Sequence, residues 1–481
     1  MLAVQKSLGR HLQSAATVGS RPQAFIRCLS SASNDDVMDV LIVGGGAVGC
    51  SLARLLNESA PSLKVGLLEA REAPSNKPAE VPNARSYALS PASLELIGPN
   101  VRSKLQLGYY DSMQVWQANS PASLTFTTKD LDADPLKAPY LGACVEDGPL
   151  VASLWNEIQG TTKCWTNTTV KDMQAGDTES LAQVTTSQGE TIQTAMLVGA
   201  DGGNSWVRKT CGISRTGAEY GLHALTFTVE LESSLNKRAF QRFLGDGGPM
   251  ALLPTYSPNH AVVVWSTSPD TIQQWKDGAP EELVSHLNDC LLEGPQRVPP
   301  LLERETSSSS PISNILYGAE RLLDTLHYGL AMASHHPEPK FTPPPRITKI
   351  VSPKSSFPLS CFQANAYTKG RVALVGDSAH TIHPMAGQGL NLGLSDVQVL
   401  VDCIVKAENA GMDLTTFLEE YGSNRKRNVT LSLAGIHTLQ RLFANQDVPL
   451  QHAKTFGMNV IQNVGILRRQ LALAAAHGVV I

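Results

Sequence analysis

A branched apolar run feeding a G-x-G-x-x-G turn, two later glycine-bearing strand ends, and strict polar–apolar alternation between them predict an α/β chain. The expected architecture is a Rossmann-like domain with an inserted, mostly antiparallel β-sheet and a helical C-terminus. In residue terms, 35–110, 140–215 and 359–425 form a discontinuous nucleotide-binding domain. Residues 111–139 and 216–358 form the inserted domain, and 426–481 form C-terminal helices. A chain of 481 residues with 42% hydrophobic and 17% charged composition can bury ordinary cores in two or three domains.

Residues 1–34 carry Lys6, Arg10, Arg21 and Arg27, six serines and no acid. Val4, Leu8 and Leu12 share one helical face opposite Lys6 and Arg10. This predicts a mitochondrial presequence, cleaved near Cys28–Ser33 and without a packing role. Asp39–Val43 then reads as a buried parallel strand. Gly44 allows the tight turn, Gly46 lets a pyrophosphate approach the backbone, and Gly49 lets the helix from Ala47 pack on the strand. The helix N-terminus is a phosphate site. Lys64–Leu68 is the second strand, and Glu69 at its end is placed to accept hydrogen bonds from an adenosine ribose. Leu124–Thr128, Ala261–Thr267 and the alternation of Leu225, Phe227, Val229 and Leu231 predict half-buried strands. Leu197–Arg208 is another strand entering a glycine turn. Thr306–Pro311 and Pro337–Pro345 read as loops flanking a helix at about Ala319–Leu330. Gly376–Asn391 precedes a helical pattern at Leu392, Val397, Leu400 and Val401. Phe456, Val460, Val464, Leu467 and Leu471 form a helical stripe beside Arg468 and Arg469. Core packing is the favoured reading of that stripe, over docking to a membrane or partner.

More than three hundred residues separate the first glycine turn from the Gly376 segment. A fold that returns to one ligand over that distance is building a site for something long, and FAD is the best candidate. The glycines at Gly387 and Gly389 let the backbone approach an isoalloxazine. The following helix N-terminus aims at its pyrimidine edge, where negative charge collects on reduction. The formal charge of −4 and the lack of a basic stripe give no nucleic-acid footprint. Eight scattered cysteines without a C-x-x-C pair suit reduced thiols. His380 and His383 have no third ligand at a zinc spacing, so no metal is expected. No apolar run reaches the ~18 residues of a membrane span.

The segment Asp201, Gly202, Ser205 and Arg208 resembles the middle motif of the aromatic-hydroxylase group of flavoprotein monooxygenases. Gly376, Asp377, Ala379, His380 and Pro384 match that group's third motif, with Ser378 in place of an alanine. The resemblance implies that Asp377 binds the ribityl hydroxyls of FAD and that Asp201 lies at the join between cofactor and reductant path. It also places Arg85 beside the flavin, and Pro384, Gly387, Gly389, Leu390 and Asn391 around its floor. Four further stretches, Met113–Trp116, Gln241–Leu244, Pro249–Pro254 and Val264–Ser268, are similar to the mitochondrial flavin monooxygenases of ubiquinone biosynthesis. That narrower group hydroxylates the ring of a polyprenylated hydroxybenzoate or phenol with dioxygen, by way of a flavin hydroperoxide. Its implied partners are a ferredoxin and ferredoxin reductase as electron donors, other ubiquinone-pathway enzymes in a complex, and peripheral contact with the matrix side of the inner membrane. No general base is identifiable. The candidate apolar roof over the flavin is Phe243, Leu252, Leu253, Pro254 and Trp265, with Arg242 a candidate partner for a substrate carboxylate. Rival readings are an epoxidase or prenyl reductase of the same superfamily, or a non-catalytic flavoprotein scaffold.

Overall fold

In the computed structural model, which describes residues 37–75, 80–134, 136–245, 248–299, 322, 341–383 and 387–477, the first apolar run is the central strand Val37–Val43. It pairs in parallel with Val65–Leu68 on one side and Thr191–Gly199 on the other. Lys163–Trp165 and Val372–Leu374 extend the sheet outward, also in parallel. Parallel strands covered on both faces need continuous branched apolar sequence, and Val40, Leu41, Ile42, Leu67, Leu197 and Val198 are all fully buried. The helices Ala47–Ser59, Asp147–Ile158 and Gly389–Asn409 pack around this core. The presequence reading falls outside the described residues, as does the expected helix at Ala319–Leu330 apart from Leu322. Of the Pro337–Pro345 loop, residues 341–345 are described and lack regular structure.

The second sheet has nine strands. Its order is His380–Thr381, Ser355–Ala364, Arg215–Leu231, His260–Thr267, Pro249–Pro254, Arg238–Phe243, Ser112–Gln117 and Ser123–Thr127, with Ile347–Ile350 beside Arg215–Leu231. All pairs are antiparallel except Arg238–Phe243 with Ser112–Gln117. Two strands sit across the expected boundaries. Ser355–Ala364 runs unbroken through the limit placed at 358/359, and His380–Thr381 of the third motif joins this sheet rather than the parallel one. The helices Pro269–Asp277 and Pro280–Leu292 cover the face away from the parallel domain. There Trp116, Phe227, Phe240, Leu252 and Trp265 pack with Leu283, Leu287 and Leu291.

The C-terminal stripe behaves differently from its favoured reading. The chain breaks at Val464, so the stripe is divided between helices Val448–Asn463 and Gly465–Ala476. The first of these buries Gln451, Lys454, Thr455, Met458, Asn459 and Gln462, a mostly polar face. Phe456, Val460 and Leu471 are half-buried, while Leu467 is 42% and Ile466 69% exposed. The cause lies in what the helix covers. Ser123–Thr127 is an edge strand with unpaired backbone groups. Gln462 accepts from Thr125 N at 2.9 Å, and Thr455 bonds Ser120 Oγ at 2.8 Å. A polar helix face satisfies that edge; an apolar one would leave buried N–H groups without acceptors.

Candidate active site

One continuous cleft, roughly 1090 Å³ in volume, lies between the two sheets. Gly45, Gly46, Ala47 and Val48 form one end of it. Gly44 adopts φ +114°, and a Cβ on Gly49 would stand 1.9 Å from the Gly44 carbonyl oxygen. Both glycines therefore lie behind the cleft wall and shape it. Gly46 caps the Ala47–Ser59 helix without any side-chain acceptor, so the first-turn N–H groups remain available to a ligand. Glu69 also lines the cleft and fixes the loop: Oε2 accepts from Gly45 N at 2.7 Å, and Oε1 from Arg71 N and Nε, each at 3.0 Å. Cys50 donates its thiol to the Gly45 carbonyl at 3.2 Å, and burial raises its pKa far above the ordinary thiol value. That makes it packing, not redox chemistry.

At the centre stands Asp377. It is deep in the molecule yet open to the cleft, and its carboxylate accepts no hydrogen bond from a described residue. The enclosing protein pushes its carboxyl up from the usual range, with Asp396 adding to the push and His380 opposing it. Gly376 just behind it has φ +60° and donates its N–H to Asp396 Oδ2 at 2.8 Å. The serine that departs from the resembled motif is well accommodated: Ser378 is fully buried and donates to the Gly199 carbonyl at 2.6 Å. Arg208 reaches from the middle motif to the Ser378 carbonyl at 2.9 Å, tying the second and third motifs together.

Gly387, with φ +61°, Gly389 and Leu390 line the far end, where the Gly389–Asn409 helix also begins without a side-chain cap. Asn391 does not face the cleft. Its Oδ1 accepts from Ser90 N at 2.9 Å, and its Nδ2 donates to Ala88 and Gly387 carbonyls at 2.9 and 3.0 Å. It clamps the helix start against the Ser86–Leu89 strand. Arg85 does line the cleft, but its guanidinium is mostly exposed and pairs with Asp147 at 2.8 Å. Asp201 is turned away: Oδ2 accepts from Trp206 N and Val207 N at 2.7 and 3.0 Å, capping that short helix, while Ala200 and Gly202 form the wall. Pro384 lies outside the described residues.

The roof differs from the expected set. Arg242, Phe243, Leu252, Pro254 and Trp265 do not line the cleft, and of the named group Leu253 alone does. Successive side chains on a strand point to opposite faces. Arg242, Leu252, Pro254 and Trp265 have the wrong parity, and Arg242, Leu252 and Trp265 face the covering helices. There Arg242 donates to the Cys290 carbonyl and pairs with Glu293 at 2.6 Å, so it cannot serve a substrate carboxylate. Phe243 stacks on Phe443 with ring centroids 3.9 Å apart. On these strands and their neighbours the cleft face is Met113, Thr226, Ala239, Gln241, Pro249, Ala251, Leu253, Val264 and Ser266, and Ser355, Phe357, Pro358, Leu359, Ser360 and Thr381 continue it across the same sheet.

Sequence reasoning also missed Asp396. It is fully buried on the Gly389–Asn409 helix, with Oδ2 2.6 Å from His380 Nε2 and Oδ1 accepting from Arg425 Nε at 2.6 Å. The available signal was an acid on the apolar face of that helix, four positions after Leu392. Among the described residues no group of three or more His, Cys, Asp or Glu could hold a metal ion.

The cleft fits FAD. It offers two uncapped helix starts for phosphate and flavin, an unpartnered carboxylate for ribityl hydroxyls, and Glu69 near the first turn. Its volume lies at the upper end of the roughly 300–1,000 Å³ range of ligand sites, as a long ligand requires. These features define the class of FAD-binding proteins whose cleft is roofed by a second sheet. Residues 37–301 and 339–433 match the family described as the FAD binding domain. Ubiquinone biosynthesis monooxygenase COQ6, mitochondrial, of Caenorhabditis elegans is 30% identical over 468 residues, covering 94% of this chain and 98% of that one. The protein of the same description from Saccharomyces cerevisiae is 31% identical over 483 residues, covering 93% and 96%. Among solved structures, the P. aeruginosa PqsL complex with 2-aminobenzoylacetate has TM-score 0.63 at 19% identity, covering 88% of this chain and 99% of that one. p-Nitrophenol 4-monooxygenase PnpA of Pseudomonas putida has TM-score 0.63 at 18% identity, covering 92% and 98%. These two likenesses speak to the fold alone. The chain belongs to the FAD binding domain family and, within it, to the COQ6 ubiquinone biosynthesis monooxygenases.

Proposed function

We propose that this protein is an FAD-dependent monooxygenase that hydroxylates the aromatic ring of a polyprenylated hydroxybenzoate or phenol intermediate of ubiquinone biosynthesis. The observation that carries the reading is one cleft shared by a dinucleotide cradle and a largely apolar sheet face. Bound and reduced, FAD supplies the electrons that split dioxygen, one atom entering the ring and the other leaving as water. The chain's own groups bind, orient and exclude water. The Ala47–Ser59 helix start holds phosphate, Asp377 holds the ribityl chain, and Ala251, Leu253 and Val264 keep the reacting face dry. A non-catalytic flavoprotein scaffold is not favoured, because it would leave the largely apolar sheet face over the cleft without a purpose.

The finer readings rest on resemblance and on charge. Electrons come from a ferredoxin and its reductase, and the enzyme works with other ubiquinone-pathway proteins on the matrix side of the inner membrane. No described helix is long and apolar enough to cross a membrane, so contact would be peripheral. The C-terminal helices support it. From Ser423 to the end there are seven basic residues and one acidic, against 28 basic and 40 acidic in residues 37–422. Ile466 and Leu467 are exposed on this basic layer, and so is Arg469.

The deciding experiment pairs mass analysis of the quinone precursor that accumulates without this protein with oxygen uptake by the purified yellow holoenzyme. A precursor lacking one ring oxygen, with uptake that depends on a prenylated phenol, is expected. An accumulated precursor already fully oxygenated would end the proposal. Asp377→Ala is expected to lose FAD, and normal flavin content in it would remove the ribityl assignment.

A further inference from the structure

On the four neighbouring strands Arg215–Leu231, His260–Thr267, Pro249–Pro254 and Arg238–Phe243, the cleft face offers few groups to hydrogen-bond. Ala239, Pro249, Ala251, Leu253 and Val264 present only carbon, and Thr226 donates its hydroxyl to the Ala84 carbonyl at 3.3 Å. Ser266 adds one hydroxyl, and Gln241 is the one side-chain amide on that face among the described residues. It stands opposite Ala251, which pairs with Val264, which pairs in turn with Thr226, so its cross-strand row supplies no free donor. Only 7% of its surface is accessible, and its side chain lines the cleft without a hydrogen-bond partner among the described residues. The amide is open to the cleft and uncommitted to the protein, so both its donor and its acceptor are available to a ligand there.

The chemistry of the amide narrows that ligand. It carries a donor and an acceptor in one plane and no charge. A hydroxyl, or two neighbouring oxygens on an aromatic ring, satisfies both sides without burying an ion. The adjacent cation, Arg242, is committed to Glu293 on the opposite face and cannot compete. We propose that Gln241 orients the substrate ring: its amide bonds an oxygen substituent and thereby fixes which ring carbon faces the cofactor. The alternating strand geometry makes this specific, because Gln241 is held by ladder bonds on both sides and cannot swing to another wall. The inference rests on the reading of the cleft as the FAD site of a ring hydroxylase.

The test uses FAD-loaded enzyme and the variants Gln241→Leu, which keeps shape and loses both hydrogen-bonding groups, and Gln241→Glu, which keeps shape and an acceptor. Binding is read from the change in the flavin spectrum with two probes, a short-tailed prenylated phenol and the matching prenylated benzene without ring oxygen. Product formed per oxygen consumed is measured alongside. In Gln241→Leu, FAD content stays native, Kd for the phenol rises about tenfold, and Kd for the oxygen-free probe is unchanged. Product per oxygen falls, because a ring free to rotate is hydroxylated less often per turnover. Gln241→Glu weakens phenol binding as well, and it carries the comparison should the leucine variant not accumulate. Native phenol affinity and native product yield in these variants would overturn the assignment. A different failure, with unaltered enzyme giving no spectral response to either probe, would strike the ring-hydroxylase reading itself.

Discussion

Replacing Asp396 with Asn probes whether the buried ion network holds the third motif in place. Three donors converge on this carboxylate: His380 Nε2 at 2.6 Å, Gly376 N at 2.8 Å and Arg425 Nε at 2.6 Å. Asn has nearly the same shape but one acceptor oxygen and an NH2, so at least one of the three must face another donor. Arg425, fully enclosed, also loses its counter-charge. Removing one member of a buried pair costs about 3–5 kcal/mol, enough to consume a large share of a domain's stability. Because Gly376 immediately precedes Asp377, FAD affinity should fall together with stability. Urea unfolding followed by circular dichroism, with and without FAD, measures both. The acid limb gives a second reading. Burial pushes the Asp396 carboxyl up, but the charges of His380 and Arg425 outweigh it and hold the group below its ordinary value. A carboxyl depressed in the fold adds stability above its unfolded pKa and gives it up as pH falls toward the folded one. The native protein therefore loses this contribution only below about pH 4, and Asp396→Asn lacks that limb. An unfolding free energy lowered by less than about 0.5 kcal/mol, with native flavin content, would refute the reasoning.

Other perturbations have equally definite outcomes. Gly49→Ala sets a Cβ 1.9 Å from the Gly44 carbonyl oxygen and should abolish flavin binding and soluble yield; a yellow, native-yield variant would contradict the packing. Arg242→Ala should cost about 2–3 kcal/mol, toward the lower end because Glu293 is half exposed and screened, while KM of the folded enzyme stays native. A raised KM at native stability would return Arg242 to the substrate site. Burial lowers His383 to about 4, so the unfolded chain binds a proton that the fold refuses. Stability should fall as pH drops from about 6.5 to 4, by up to about 3 kcal/mol, and His383→Phe should flatten that slope in pH-dependent melting. Ile466→Glu with Leu467→Glu should release the protein from anionic phospholipid vesicles in co-sedimentation, with oxygen uptake on a soluble substrate unchanged. Undiminished vesicle binding would move the contact elsewhere.

The glycine spacing at Gly44, Gly46 and Gly49, the branched strand before it and the helix after it were legible because each depends on neighbours within a dozen residues. A turn that excludes any Cβ and a helix start that leaves N–H groups open are local facts. So is the acid at Glu69 after a four-residue strand. The same holds for Gly387 and Gly389 ahead of their helix, and for the alternation that announced the strands Arg215–Leu231 and His260–Thr267. Their convergence around one cleft was suggested by the long separation of the two glycine segments, and resemblance added the middle motif to it.

The roof was decided by the tertiary structure. Arg238–Phe243 is buried on both faces, one against the cleft and one against helices, so burial leaves no alternation from which to choose the inward parity. That choice separates Gln241 from Arg242, and nothing local distinguishes them. Asp201 likewise faces the helix it caps because Trp206 and Val207 present two free N–H groups there. The Val448–Asn463 helix turned its polar side inward for a related reason: an edge strand demanded hydrogen-bond partners, and that demand belongs to a segment more than three hundred residues earlier in the chain. Local sequence fixes what each segment can form; which of its sides meets the interior depends on the surface it finds there.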